Sequence, residues 1–306
     1  MSTIHVVGAG VVGSATGKGL ATHGHDVTFV DTNETARSRV RAQGFAACAP
    51  QDQSLDGVDA VFVAVTALTG DHGVDLTHLM NATESLGQKL RRTESHPLFV
   101  YRCTMPPGTM RDTIIPRLEQ VSQRSVERDF GVVYNPEYLR AATAEEDFLN
   151  PRLVTLSTVD KHNQSHKFAN HLLSDLPARQ MWLPLEVAEF HKYVNNVGNA
   201  VTISFFNLMR RIGENTGLDG SSIDRAFEAT VASAEFRWNS RYGTRDLGAY
   251  GGACLPKDTL ALTHYADQIG IDTHILRAVM DFNEGYRTER PSVEDLEQHA
   301  AQDIPA

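Results

Sequence analysis

Near its C-terminal end the 306-residue chain gathers a thiol, an ammonium and a carboxylate within five positions: Cys254, Lys257 and Asp258, directly behind the pair Gly251-Gly252. The glycine pair lets backbone approach a ligand closely. Pro256 favours the first turn of a helix, because its missing N–H costs nothing there. Cys254 then sits just ahead of a helix N-terminus, where the positive end of the dipole and Lys257 favour thiolate over thiol. Asp258, four residues on, can reach back as a base or hydrogen-bond anchor. A lone cysteine after a turn is more simply a buried, inert one. Lys257 and Asp258 beside it argue against apolar burial.

A second chemical stretch opens the chain. An apolar run at 3–7 leads into Gly8-Ala9-Gly10-Val11-Val12-Gly13, an apolar-periodic helix to about residue 23, a second strand at 26–30, and Asp31 at its tip. This is the dinucleotide fingerprint in its required setting of strand, glycine turn, helix, strand and acid. Gly8 makes the tight turn, Gly10 lets a pyrophosphate approach, and Gly13 allows the helix to pack on the sheet. The helix N-terminus at Val11 and Val12 holds the phosphates. Asp31 would accept from ribose hydroxyls and repel a 2′-phosphate, so the expected cofactor is NAD.

Further strands at 59–65, 98–102 and 130–134 alternate with helical stretches, which predicts a parallel sheet covered on both faces. Ligands in such sheets sit beyond the carboxyl ends of the strands. The ends that matter are then Thr66 after the third strand, 103–109 with Thr104 after the fourth, and Asn135-Pro136-Glu137 after the fifth. Glu137 is a base or water-orienting group, or else a first-turn helix carboxylate. Thr104 orients a water or caps the next helix. Strands at 153–157 and 180–182 flank a polar helix over 160–173, where His162 and His166 lie one turn apart. With no Glu in a His-Glu-x-x-His pattern and only polar neighbours, they read as a solvated face rather than a metal pair.

A long helix is expected over 185–216, with too many apolar residues for one face: Val194, Val197, Val201, Phe205, Leu208 and Ile212 form a stripe, and Phe190, Ile203, Phe206 and Met209 fall outside it. Such a helix is buried between elements or between subunits, so it reads as the spine of a helical second domain and a homodimer surface. Glu189, Lys192 and Asn196 share one of its faces. A surface ion pair is the usual meaning of such a Glu and Lys; the Asn one turn further, in an apolar helix, points to a site. Shorter helices follow at 221–231, 256–269 and 273–286, before a charged tail. The expected fold is α/β: a Rossmann-type doubly wound parallel sheet over 1–183, an all-helical central domain over 184–290, and a tail over 291–306.

A net charge of −10 argues against a nucleic-acid or anionic-membrane partner, and no apolar run is long enough to span a bilayer. Three cysteines (Cys48, Cys103, Cys254) make no disulfide framework, and the N-terminus runs into a strand with no charged-then-apolar leader. A cytoplasmic setting is expected.

Taken together, the chain resembles the nucleotide-sugar 6-dehydrogenases, the UDP-glucose, GDP-mannose and UDP-N-acetylmannosamine dehydrogenase family. The likeness is carried by the glycine turn with Asp31, Thr104 in a Ser-Thr-Val-Pro-like segment, and Asn135-Pro136-Glu137-Tyr138-Leu139-Arg140. It continues through Ala188-Glu189-Phe190-His191-Lys192-Tyr193 with Asn196, and through 251–258. The resemblance implies oxidation of a primary alcohol to a carboxylic acid with two NAD⁺, on a sugar nucleotide or a related sugar or nucleoside alcohol. It implies that Cys254 attacks the aldehyde intermediate, that Lys192 stabilises the oxyanion with Asn196 positioning it, and that Asp258, Thr104 and Glu137 activate water. Thr66, Thr104 and Lys257 join the glycine turn as expected cofactor contacts.

Four departures stand out. Ala141 takes the place of a second Glu, Thr66-Ala67-Leu68 replaces Gly-Thr-Pro, and 247–250 lacks the family's glycine pattern. Family members also continue into a third, Rossmann-like domain, whereas this chain stops at Ala306. Two other readings are a single-step dehydrogenase like the β-hydroxyacid enzymes, which use a Lys near an Asn but no cysteine, and a silent NAD-binding partner subunit.

Overall fold

The strand β1 (Thr3–Val7) feeds α1 (Val11–Thr22), and β2 (Asp26–Val30) returns parallel beside it. The computed structural model describes residues 1–70, 73–160, 163–233, 249–251 and 255–289. After β2 come α2 (Glu34–Arg41), β3 (Ala46–Cys48) and β4 (Ala60–Val63), then a short antiparallel pair, β5 (Leu68–Gly70) and β6 (Gly73–Asp75). The chain continues through α3 (Thr77–Leu90), β7 (Leu98–Tyr101), a π-helical turn (Met110–Ile114) running into α4 (Ile115–Ser122), and β8 (Gly131–Tyr134). Then follow α5 (Ala144–Leu149), β9 (Leu153–Leu156), α6 (Gln164–Leu172) and β10 (Arg179–Trp182). The last helices are α7 (Leu185–Asn215), α8 (Gly220–Ser233), α9 (Leu255–Gln268) and α10 (His274–Glu289).

Six strands form one sheet in the order β3-β2-β1-β4-β7-β8, every pairing parallel. The sheet contains a strand that sequence reading did not anticipate. Ala46-Ala47-Cys48 has neither branched nor aromatic residues to signal a strand, and it pairs only with β2 at the sheet edge. The run at 59–65 is therefore the fourth strand rather than the third.

Both faces of the sheet are covered, which explains the unbroken apolar runs of its strands. Val61, Val63, Phe99, Tyr101 and Val132 point to one side, against Leu79, Leu86 and Leu90 of α3 and Leu118 of α4. Ala60, Phe62, Leu98, Val100 and Val133 point to the other, against Leu20 of α1, Val40 of α2 and Phe148 of α5. Each fully buried aliphatic or aromatic side chain here contributes about 1.5–3 kcal/mol. α1 approaches α5 so closely that a Cβ on Gly19 would come 2.0 Å from the Phe148 ring.

Register sets where the site lies. Val7 is level with Val30 and Val63, Val63 with Tyr101, and Tyr101 with Tyr134. Gly8, Asp31, Ala64, Arg102 and Asn135 therefore leave the sheet along one carboxyl edge.

By density of internal contacts the chain divides within α7, into Met1–Val197 and Gly198–Ala306. The second unit has its own small core of Leu208, Ile212, Ala266, Ile271 and Leu276.

One buried group on β1 gives the fold a pH dependence. The His5 ring is 9% exposed, and its Nδ1 lies 3.1 Å from Gln53 Nε2, so the amide donates to a neutral imidazole. Burial pushes its pKa below the ordinary 6.5, against a smaller pull upward from Asp26. Below pH 6.5 the unfolded chain binds a proton that the folded one refuses. The stability tied to His5 is thus fully present above that pH and erodes as pH falls towards the depressed folded value. Urea unfolding between pH 7.5 and pH 5 should show a shallower acid limb for His5→Gln than for wild type; identical limbs would exclude this origin.

Candidate active site

The glycine turn is built by close approach. Gly8 has φ +98°, and a Cβ there would lie 2.6 Å from the Ala64 carbonyl oxygen. A Cβ on Gly13 would lie 1.7 Å from the Gly8 carbonyl oxygen, so only glycine lets α1 start this near the sheet. Gly10 is different: it is exposed, and a Cβ there would meet nothing within 4 Å. The space it leaves opens onto the start of α1, whose N-terminus has no side-chain cap. Orphan N–H groups at an uncapped helix start are what a pyrophosphate requires. The residues present therefore fit a dinucleotide.

Asp31 Oδ2 accepts the Ala9 N–H at 2.6 Å and Oδ1 accepts the Asn33 N–H at 2.7 Å, which ties the tip of β2 to the turn. Val11 is exposed, Val12 half-buried and Thr66 exposed. A cavity of about 460 Å³ adjoins the turn, lined by Gly10, Val11, Ser14, Lys18, Arg39 and Ala141 among others. Its rim is bridged by an ion pair between Lys18 and Glu145.

Further along the same edge, the Lys192 ammonium is buried against the segment that follows β8. Its side chain is 3% exposed and that of Glu137 14%. Nζ donates to the Glu137 backbone carbonyl and, at 3.2 Å, to Glu137 Oε1. Oε2 of the same carboxylate accepts the Leu139 N–H at 2.7 Å. The ammonium also lies 5.2 Å from the centre of the Tyr138 ring. Of its three donors, two are taken by Glu137, and the third has no acceptor among the described residues. The Tyr138 hydroxyl donates to Thr155 Oγ1 at 3.0 Å and lies 2.8 Å from His191 Nδ1. Burial raises the Tyr138 phenol pKa.

One charged group absent from the sequence expectations supports this edge. Arg102, 6% exposed, donates to Asn135 Oδ1 and lies 5.5 Å from the centre of the Phe148 ring. Burial lowers its pKa to about 10 despite the nearby Glu137, and its Nε has no hydrogen-bond partner among the described residues. Asn135 passes the connection on by donating Nδ2 to the Thr155 carbonyl at 2.7 Å. Glu189, which shares a face of α7 with Lys192, accepts the N–H groups of Gly108 and Met110.

The remaining expected residues fall as follows. Thr104 is half-buried in the segment after β7. Asn196 is exposed, its Oδ1 accepting from Asn195 Nδ2 at 3.1 Å. Lys257 and Asp258 lie in the first turn of α9. Cys254 and His162 lie outside the described residues. His166 stacks at a tilt on Trp182, ring centres 4.0 Å apart. Within the second unit, buried Asn283 grips the Tyr250 backbone in both directions, accepting its N–H at 2.8 Å and donating to its carbonyl at 3.0 Å. No spacing pattern announced that clamp, because it joins positions 33 residues apart.

Comparison with known proteins places this geometry. The sequence model of the UDP-glucose/GDP-mannose dehydrogenase family, NAD binding domain, matches residues 38–173, and that of the family's central domain matches 186–285. A ketopantoate reductase model matches residues 4–71, the region of the glycine turn. GDP-mannose 6-dehydrogenase of Pseudomonas aeruginosa is 30% identical over 302 residues, covering 92% of this chain and 68% of that protein. UDP-glucose 6-dehydrogenase AglM of Haloferax volcanii is 30% identical over 310 residues, covering 92% and 69%. A crystal structure of a ternary complex of the Pseudomonas aeruginosa GDP-mannose dehydrogenase superposes with a TM-score of 0.84 at 28% identity, covering 93% of this chain and 69% of that one. With a parallel Rossmann sheet, a fitting dinucleotide cradle and relatives of this similarity over most of its length, the chain belongs to the UDP-glucose/GDP-mannose dehydrogenase family.

Proposed function

We propose that the protein oxidises the primary alcohol of a nucleotide sugar to a carboxylic acid in two steps, with 1–183 holding NAD and 184–290 carrying Cys254. The observation that carries the reading is the buried Lys192 ammonium, fixed on Glu137 with one donor left over. A spare, preorganised N–H at low dielectric is what a developing oxyanion needs.

Two NAD⁺, bound in turn, would supply the acceptors for the two hydrides. Gly8, Gly10 and Gly13 would let a pyrophosphate reach the start of α1, where the N–H groups of Val11 and Val12 would hold it, and Asp31 would accept from the ribose. Thr66, Thr104 and Lys257 would complete the cofactor contacts. In the first oxidation the substrate hydroxyl loses its proton to a water held by Asp258, Thr104 and Glu137. The Cys254 thiolate then adds to the aldehyde carbon, and the resulting oxyanion is stabilised by Lys192, with Asn196 helping to position it. Loss of the second hydride leaves a thioester. Water attacks it, the acid departs and the thiol is regenerated, so one alcohol, one water and two NAD⁺ give one acid, two NADH and two protons.

We also infer that α7 pairs with a second copy of the chain. Val194, Val197, Val201 and Phe205 recur at spacings of three and four and are exposed, a stripe suited to helix packing. Among the described residues no helix is long and apolar enough to cross a membrane. The two described cysteines are free, which suits a reducing, cytoplasmic setting.

The stoichiometry decides the reaction. Across a panel of UDP-, GDP- and CDP-sugars, nucleosides and free sugars, two NADH should form per substrate consumed, and Cys254→Ser should abolish acid formation. One NADH per substrate, with turnover unchanged in that variant, would indicate a simple alcohol dehydrogenase. Lys192→Met should lower kcat about 10²–10³-fold. It should also destabilise the fold by about 3–5 kcal/mol, because Glu137 is left buried without its counter-charge. Adding Glu137→Gln should recover much of that stability in urea unfolding but none of the activity.

A further inference from the structure

One fully buried acid at this edge has no part in the chemistry just proposed. Glu189 is 0% exposed. Its Oε2 accepts the Gly108 N–H at 2.5 Å and its Oε1 the Met110 N–H at 2.7 Å. Those amides belong to the start of the helical run that begins at Met110 and continues into α4. Donors at a helix start lack partners within their own helix, and here a carboxylate from a different helix supplies them, in the orientation the dipole favours. Both oxygens face N–H donors, so the ionised form is the one the geometry fits. Burial pushes the carboxyl pKa up, and the two amides pull it back down.

The segment held in this way is itself tightly turned. Thr109 donates both its N–H, at 3.1 Å, and its hydroxyl, at 2.6 Å, to the Pro106 carbonyl. Gly108 has φ +92°, and a Cβ there would approach Asp112 Oδ2 to 3.0 Å. Thr104 lies at the other end of this segment. Three residues after Glu189, one turn along α7, Lys192 binds the segment after β8. One turn of α7 therefore grips two strand-end segments, one through a carboxylate and one through an ammonium.

We propose that Glu189 is a positioning residue that fixes the 104–110 segment against the α7 turn presenting Lys192, so that Thr104 and the ammonium keep a single relative placement. Glu186, one turn earlier, supplies an internal control. It joins α7 to the same helical run by pairing with Arg111, but at the surface, with side chains 38% and 53% exposed. Exposed pairs of that kind contribute little.

The turnover arm of the test rests on the dehydrogenase reading; the exchange arm does not. Backbone hydrogen exchange over 104–111 is followed by mass spectrometry in wild type, Glu189→Gln and Glu186→Gln without substrate. Steady-state kinetics use UDP-glucose and GDP-mannose as probes. Glu189→Gln should exchange about tenfold faster in that segment alone. Its kcat should fall about 10–100-fold, as misplacement by an ångström does, while KM for NAD and for the probe changes less than about threefold. Glu186→Gln should match wild type in every readout. Unchanged exchange, faster exchange throughout the first unit, or an unchanged kcat in Glu189→Gln would each overturn the proposal. If wild type turns over neither probe, that failure belongs to the functional reading and the exchange result alone decides. Should Glu189→Gln not fold, Glu189→Asp keeps the charge and shortens its reach by one methylene, and the same readouts should move in the same direction.

Discussion

An ammonium taken almost entirely out of water is the constraint on which this architecture turns. Desolvating Lys192 costs several kcal/mol unless a partner and further acceptors meet it with good geometry. Glu137 provides both, through its carboxylate and its own backbone carbonyl. That arrangement requires the segment after β8 and the first turns of α7 to meet at a fixed distance. Strand register delivers the first, and the burial of Leu185 and Ala188 against the sheet's α3/α4 face delivers the second. The apolar core thus holds a charge where a reaction can use it.

The charges around this point are unequal in kind. Arg102 is enclosed beneath the edge and held by Asn135, with an aromatic face near its guanidinium. Glu189 is enclosed on the side of α7 and neutralised by amides rather than by a cation. Lys192 and Arg102 each keep a donor without an acceptor among the described residues, but only the ammonium is held at a carboxylate and carbonyl of the segment after β8. Low dielectric strengthens every interaction in such a cluster and raises the cost of any member left unsatisfied. Most of its members are therefore fixed by backbone groups, which cannot swing away.

Much of this could be read in advance where a residue type has few alternatives. Gly8, Gly13 and Asp31 were legible because the turn tolerates no Cβ and the strand tip needs an acceptor. The two-sided covering of the sheet was legible in runs such as 60–63 and 98–101, which are apolar at every position. Glu189 was legible as a residue of interest and illegible in its role. A spacing of three on a helix shows that two side chains share a face, not whether they prefer each other to backbone groups brought in from elsewhere. Arg102 and Asn283 gave no signal, since each acts on a partner about 33 residues away. The strand β3 was hidden because alanine carries almost no preference for extended structure.

The two described cysteines have a practical consequence. Burial drives the Cys103 thiol pKa up to about 12, and its sulfur sits 3.5 Å from the Val63 carbonyl oxygen. Cys48 is half-buried and is shifted upward too, first by burial and then by Asp52. Electrophiles react with the anion, not the protonated form. Near neutral pH an alkylating tag would therefore react with both of these side chains more slowly than with an ordinary exposed thiol.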